Sequence, residues 1–185
     1  MEKDVKFAVL GGGSWATAIV KMLTNNQEMV GWYMRNSDAI EHIKTQKHNP
    51  NYLTSVEFKT EQLFLTDDIN EAVNFADVLI FAVPSAFLVS ELEKLKSPLK
   101  DKIIFSAIKG IVPESGLIVG EHFHEIYKIP FEHIGVITGP CHAEEVAMER
   151  LSYLTIACAD KDKAELIAKN LSSNYIKTNI SKDII

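Results

Sequence analysis

Apolar residues fall along this chain in two alternating rhythms, short continuous runs and stripes spaced by three and four. Residues 5–10 are nearly all apolar and end at a glycine, which predicts a strand covered on both faces. From Trp15 the apolar positions are Trp15, Ile19, Met22 and Leu23, one stripe of a helix. The alternation continues with a strand over 29–34 and a helix over 38–47 that turns Ile40 and Ile43 inward. A loop-rich section follows to residue 66. Asp67 is placed to cap a helix ending at 75. The run "ADVLIFAVP", 76–84, is the clearest buried strand; Pro84 ends it and suits the first turn of a helix over 85–95. Further on, the pattern predicts strands at 102–110, 133–140, 154–159 and 175–178, and helices at 115–127, 142–149 and 162–171.

Strands alternating with helices at this spacing predict βαβ units. The fold class is therefore α/β, a doubly wound and mostly parallel sheet with helices on both faces and right-handed crossovers. No Pro/Gly/Ser-rich linker and no repeat divides the chain, so residues 1–185 read as one domain. With 46% apolar and 24% charged residues, the composition is that of a globular protein with a real core. The net charge of −6 and the scattered Lys and Arg argue against nucleic acid as the main partner. Cys141 and Cys158 are too few for a disulfide framework and point to the reducing cytoplasm. The charged first four residues read as no signal peptide. The longest apolar stretch, 76–89, carries Asp77 and Pro84 and is too short for a membrane span. The uncapped apolar end, 183–185, suggests a natural polypeptide that continues.

The candidate chemistry begins at Gly11-x-Gly13-x-x-Ala16, directly after the first strand and directly before the first helix. Gly11 permits the tight turn, Gly13 lets a pyrophosphate approach the backbone, and Ala16 lets helix and strand pack closely. Amides at the helix start then hold the diphosphate, with Ser14 as a further donor. The Trp15 ring reads as packing under the sheet, and the Trp15 backbone amide can face the phosphates whichever way the ring points. A fold that prefers NAD places an acid about 20 residues on. Here Arg35 stands at that position, either solvated or paired with a 2′-phosphate, which favours NADP(H) with NAD(H) possible. Ligands of such a sheet sit beyond the carboxyl ends of its strands. Phe87 lies there, against the cofactor or inward in the core. Lys109 is either a solvated cation or a contact for a phosphate or carboxylate substrate. In "TGPCHAEE", amides of a helix opened by Cys141 and His142 suit an anion. Neighbours in sequence need not face each other, so a Cys–His nucleophile is rejected. The histidines and cysteines show no metal-ligand spacing.

Together "GGGSWATAI", "HNPNYL", "VLIFAVPSAF", "AIKGI" and "GPCHAEEVA" resemble, in order and spacing, the NAD(P)-dependent glycerol-3-phosphate dehydrogenases. The resemblance implies a Rossmann-type fold and hydride transfer between NAD(P)(H) and sn-glycerol 3-phosphate or dihydroxyacetone phosphate, for glycerophospholipid synthesis. It implies cofactor contacts at Gly11, Gly13, Ser14, Trp15, Arg35, Lys109 and Ala143, with Tyr52 and Phe87 in matching motifs. It implies substrate contacts at Lys109, Gly139 and Cys141. The family usually carries Ser or Thr where this chain has Cys141, and a thiol is a poorer donor. Members of the family are longer and form homodimers. They continue into a helical domain with a lysine that acts as proton acceptor, so this chain corresponds to the cofactor-binding half, with no catalytic base of its own. The residues also leave open a dehydrogenase of another small acid or acyl thioester, and a non-catalytic dinucleotide-sensing domain.

Overall fold

The computed structural model of the chain describes residues 5–184. The charged start and residue 185, on which the readings of a missing leader and of a continuing chain rested, lie outside the described residues. The elements follow in the order β1 (Phe7–Leu10), α1 (Ser14–Thr24), β2 (Val30–Tyr33), α2 (Ser37–Gln46), β3 (Leu63–Thr66), α3 (Ile69–Phe75), β4 (Val78–Phe81) and α4 (Ser85–Leu92). They continue with β5 (Ile103–Ser106), α5 (Val119–Tyr127), β6 (Ile134–Thr138), α6 (Ala143–Ala147), β7 (Ser152–Cys158), α7 (Lys161–Leu171) and β8 (Ile176–Ser181).

The strands form one eight-stranded sheet in the order β3-β2-β1-β4-β5-β6-β7-β8. All pairs are parallel except β6 with β7. Along β1 the side chains alternate: Phe7 and Val9 enter one core with α1 and α7, whereas Ala8 and Leu10 enter another with α3, α4 and α5. Helices therefore cover both faces, and the central strands β1, β2 and β4 are buried along their whole length. Leu10 pairs with Tyr33 on one side and Phe81 on the other, so three strands end level with one another. The chain leaves β1 for one face and β4 for the other, which opens a crevice between their ends.

Several boundaries differ from the pattern-based expectation. β3 falls inside the section read as loop; it is a four-residue edge strand, half-exposed at its two middle residues, and its apolar run, Leu63–Leu65, is only three residues long. Asp68, not Asp67, caps α3, accepting from the Asn70 amide at 2.8 Å. α5 starts at Val119 rather than 115, because Ser115–Gly116 form a turn and Ile111 bridges to Ile118. β5 ends at Ser106, which leaves Lys109 in the loop beyond it. Asn36 and Asp160 cap α2 and α7 as their residue types favour.

His122 on α5 is buried and shares a 3.0 Å hydrogen bond with Ser115 Oγ. Burial holds its pKa below the ordinary 6.5, with the nearby Glu114 charge opposing. The unfolded chain then binds a proton that the folded chain resists, so this contribution is complete above about pH 6.5 and is lost as the pH falls below it. Urea midpoints at pH 8 and pH 5.5 should fall further between the two pH values in the wild type than in His122→Gln. An equal fall in both would refute the assignment.

Candidate functional site

The turn from β1 into α1 lies at the head of the crevice. Gly11 has φ +141, and a Cβ built on it would stand 2.4 Å from the carbonyl oxygen of Ala82. No other residue fits there without displacing β4. A Cβ at Gly13 would meet nothing within 4 Å, so the protein itself does not require a glycine there. The room lies over the amino end of α1, whose first turn has no side-chain cap and no acid.

The turn's carbonyls are drawn into the protein. That of Gly11 accepts from the Trp32 indole at 2.7 Å, and that of Gly12 from Asn49 Nδ2 at 3.0 Å. That of Gly13 accepts from the amide and hydroxyl of Thr17 at 2.9 Å each. The first-turn amides have no intrahelical partner, and they share the positive end of the helix dipole. An uncapped cradle of this kind suits the diphosphate of a dinucleotide.

Asn49, in "HNPNYL", is 1% exposed and ties this turn to the next wall. Its amide nitrogen also reaches Thr17 Oγ1 at 3.0 Å, and its oxygen accepts from the Asn51 and Tyr52 amides at 3.0 and 3.3 Å. Sequence reasoning missed Asn49, because an Asn beside a proline ordinarily reads as a turn former. Tyr52, at 45% exposure, lines the cleft beside it.

That first cleft, about 310 Å³, is lined by the glycine turn, Arg35 and Asn36, and across from them Pro84, Phe87 and Glu91. Phe87 is 45% exposed; of its two readings, the inward core position is corrected. It points out because α4 turns Leu88 and Leu92 into the core instead. The Arg35 guanidinium lies 5.0 Å from the Phe87 ring centroid. No acid follows β2, but α4 supplies one: Glu91 is 3% exposed, accepts from the Tyr33 hydroxyl and, at 2.9 Å, from Lys94, and lies 3.9 Å from Arg35. Burial first, then the bond to Glu91, raises the Tyr33 pKa far above the ordinary phenol value and keeps it a donor. Glu91 also escaped the sequence reading, since a glutamate on a helix ordinarily faces water.

A second cleft of about 360 Å³ holds Ser14, Trp15, Ser85, Ile108 and Lys109. It shares Gly13, Ala82, Val83 and Pro84 with the first, so the two meet at the glycine turn. Trp15 is half-buried, packs against the core and also lines this cleft. Lys109 is exposed. Gly139, Cys141 and Ala143 line neither cleft. A Cβ on Gly139 would come 2.3 Å from the carbonyl oxygen of Tyr153, so packing against β7 alone demands that glycine. Burial and Glu145 raise the Cys141 thiol pKa, which the Lys109 charge partly offsets; the thiol stays neutral. Ala143 is buried. At the start of α6, Glu144 and Glu145 stand in the first turn, and the Glu145 carboxylate accepts from the His142 amide at 3.0 Å. Among the described residues, no group of three or more His, Cys, Asp or Glu is placed to hold a metal ion. No helix among them is long and apolar enough to cross a membrane.

The strand order and the crevice at the β1/β4 switch define a Rossmann-type α/β domain. The sequence model of the NAD-dependent glycerol-3-phosphate dehydrogenase N-terminus matches residues 6–164. The chain belongs to that family. It is 32% identical over 182 residues to a glycerol-3-phosphate dehydrogenase [NAD(P)+] of Corynebacterium jeikeium, covering 98% of this chain and 54% of that protein. It is 32% identical over 180 residues to that of an Exiguobacterium species, covering 96% and 52%. The solved glycerol-3-phosphate dehydrogenase of Plasmodium falciparum superposes with a TM-score of 0.86 at 25% identity, covering 99% of this chain and 54% of that one. The chain thus spans about half the length of the relatives it matches.

Gly11→Ala should cost about 1–3 kcal/mol through its disfavoured φ and the contact with Ala82. Asn49→Ala should cost about 1–3 kcal/mol by stranding the Gly12 carbonyl. Urea unfolding measures both, and a loss under about 0.5 kcal/mol in either would contradict the geometry described.

Proposed function

We propose that this chain is the cofactor-binding half of an NAD(P)-dependent glycerol-3-phosphate dehydrogenase, which interconverts sn-glycerol 3-phosphate and dihydroxyacetone phosphate. The observation that carries this reading is a pair of clefts meeting at an uncapped glycine turn, with Arg35 in one and Lys109 in the other. An extended dinucleotide fits that arrangement, its diphosphate on the α1 amides and its adenosine in the cleft whose walls carry Arg35 and Phe87. Arg35 pairs with a 2′-phosphate and so favours NADP(H) over NAD(H). Ser14 and Trp15 flank the second cleft, where the nicotinamide end lies. When bound, the nicotinamide supplies hydride transfer. Lys109 holds the anionic substrate beside it, and the turn of Gly139 and Cys141, with Ala143, borders that place. Lys109 and Cys141 are close enough to influence one another electrostatically, which supports that grouping.

The proton acceptor belongs to the half of the relatives that this chain does not span, in a helical domain that completes a homodimeric cytoplasmic enzyme of glycerophospholipid synthesis. The 185-residue chain should therefore bind NADPH yet turn over dihydroxyacetone phosphate at under about 1% of the rate of a full-length relative, since a missing general base alone removes about 10²–10⁴-fold. Turnover near the full rate would overturn the missing-half reading, and failure to bind either dinucleotide would overturn the cofactor reading. Arg35→Ala should weaken NADPH about tenfold while leaving NADH within about twofold. Calorimetric titration with the two cofactors measures the ratio.

A further inference from the structure

Among the residues lining the first cleft, Arg35 is the only base and Glu91 the only acid. A carboxylate 3% exposed is tolerated only when paired. Both of its oxygens are engaged, one by the Tyr33 hydroxyl and the other by Lys94 at 2.9 Å. Glu91, 3% exposed and hydrogen-bonded through both oxygens, acts on the cleft through its charge. The Arg35 guanidinium stands 3.9 Å away, at the outer limit of an ion pair, and rests on Phe87. It is held without being consumed: 62% of its side chain is exposed and able to meet a second anion.

We propose that Glu91 is a specificity-determining residue, whose charge, brought by α4 into the wall of the first cleft, competes with a 2′-phosphate for Arg35 and narrows the preference for NADPH over NADH. This rests on reading the first cleft as the adenosine end of a dinucleotide site. Both the repulsion of a 2′-phosphate and the partial neutralisation of Arg35 act on NADPH and not on NADH, whose ribose is uncharged there. Lys94 lies on the far side of the same carboxylate and damps both effects.

Calorimetric titration of the chain with NADPH and with NADH tests this. Glu91→Gln keeps an acceptor for Tyr33 and removes the charge. It should tighten NADPH about three- to tenfold and change NADH by under about twofold, and against an Arg35→Ala background the gain should shrink to the part that comes from direct repulsion of the 2′-phosphate. Lys94→Ala, a half-exposed side chain, should do the reverse and weaken NADPH several-fold. Lys161→Ala on α7 makes the same change in net charge far from the cleft and should move neither affinity. The Lys94 variant decides the matter if the Glu91 variant does not fold. An unchanged NADPH/NADH ratio in the folded variants, with both cofactors bound by the wild type, would overturn the role of Glu91 alone. Binding of neither cofactor by the wild type would overturn the cofactor reading together with it.

Discussion

The architecture turns on one close approach, between the α-carbon of Gly11 and the carbonyl of Ala82. β1 and β4 are hydrogen-bonded neighbours up to Leu10 and Phe81, and the Ala82 amide still donates to the Leu10 carbonyl at 2.8 Å. Immediately beyond, one chain must bend under the other to enter α1 on the opposite face from α4. A side chain at position 11 would force the two strand ends apart, and the crevice would lose its floor. The amide of Gly11 donates to the Tyr33 carbonyl at 3.0 Å, so the bend also fixes the end of β2, from which Arg35 projects. Three walls of the candidate site thus follow from one steric requirement.

Around that bend the polar groups are sorted by direction. Trp32, Asn49 and Thr17 take the carbonyls of the three glycines, and each is buried. Had the carbonyls faced the cleft, their partial negative charge would oppose a phosphate. The same sorting recurs on α4, where Glu91 is compensated by Tyr33, Lys94 and Arg35 together rather than by water. α6 differs from α1: it carries Glu144 and Glu145 in its first turn, and Glu145 accepts from the amide of its own capping residue, His142.

How much of this was legible in the sequence follows from whether the signal is local. β1, β4 and β5 are covered on both faces, and two-sided burial writes itself as a continuous apolar run. β3 is an edge strand paired only with β2, and its apolar run of three residues is too short to stand out from the loop around it. The Gly11-x-Gly13 spacing was readable because its setting is local, directly after a buried strand and directly before a helix, and Arg35 because it follows β2 at a fixed distance. Asn49 and Glu91 were not, since each is buried by partners 32 to 58 residues away in sequence. At Gly139 the glycine has a steric cause as well, the antiparallel β7 passing over it, a contact no spacing rule contains.

The second half of the sheet is more than an extension of the first, because it braces the helix on which the site depends. α1 packs on β1 and β2 through Ile19, Val20, Met22 and Leu23, a contact that leaves its rotation and slide to weak apolar forces. Lys21 adds an ion pair to Glu149, just past α6, at 2.8 Å. Past its carboxyl end, Asn26 donates to the carbonyls of Asn170 and Ser172 at 2.9 and 3.0 Å, and Gln27 to the Asn170 side chain at 2.7 Å. Asn170 is itself nearly buried on α7, so these bonds form in a screened setting where misalignment leaves polar groups stranded. Directional bonds at the far end of a rigid helix of eleven residues fix where its near end stands. The placement of the first-turn amides over the glycine bend is therefore set as much by α6, α7 and the turn after α1 as by the strand that leads into it.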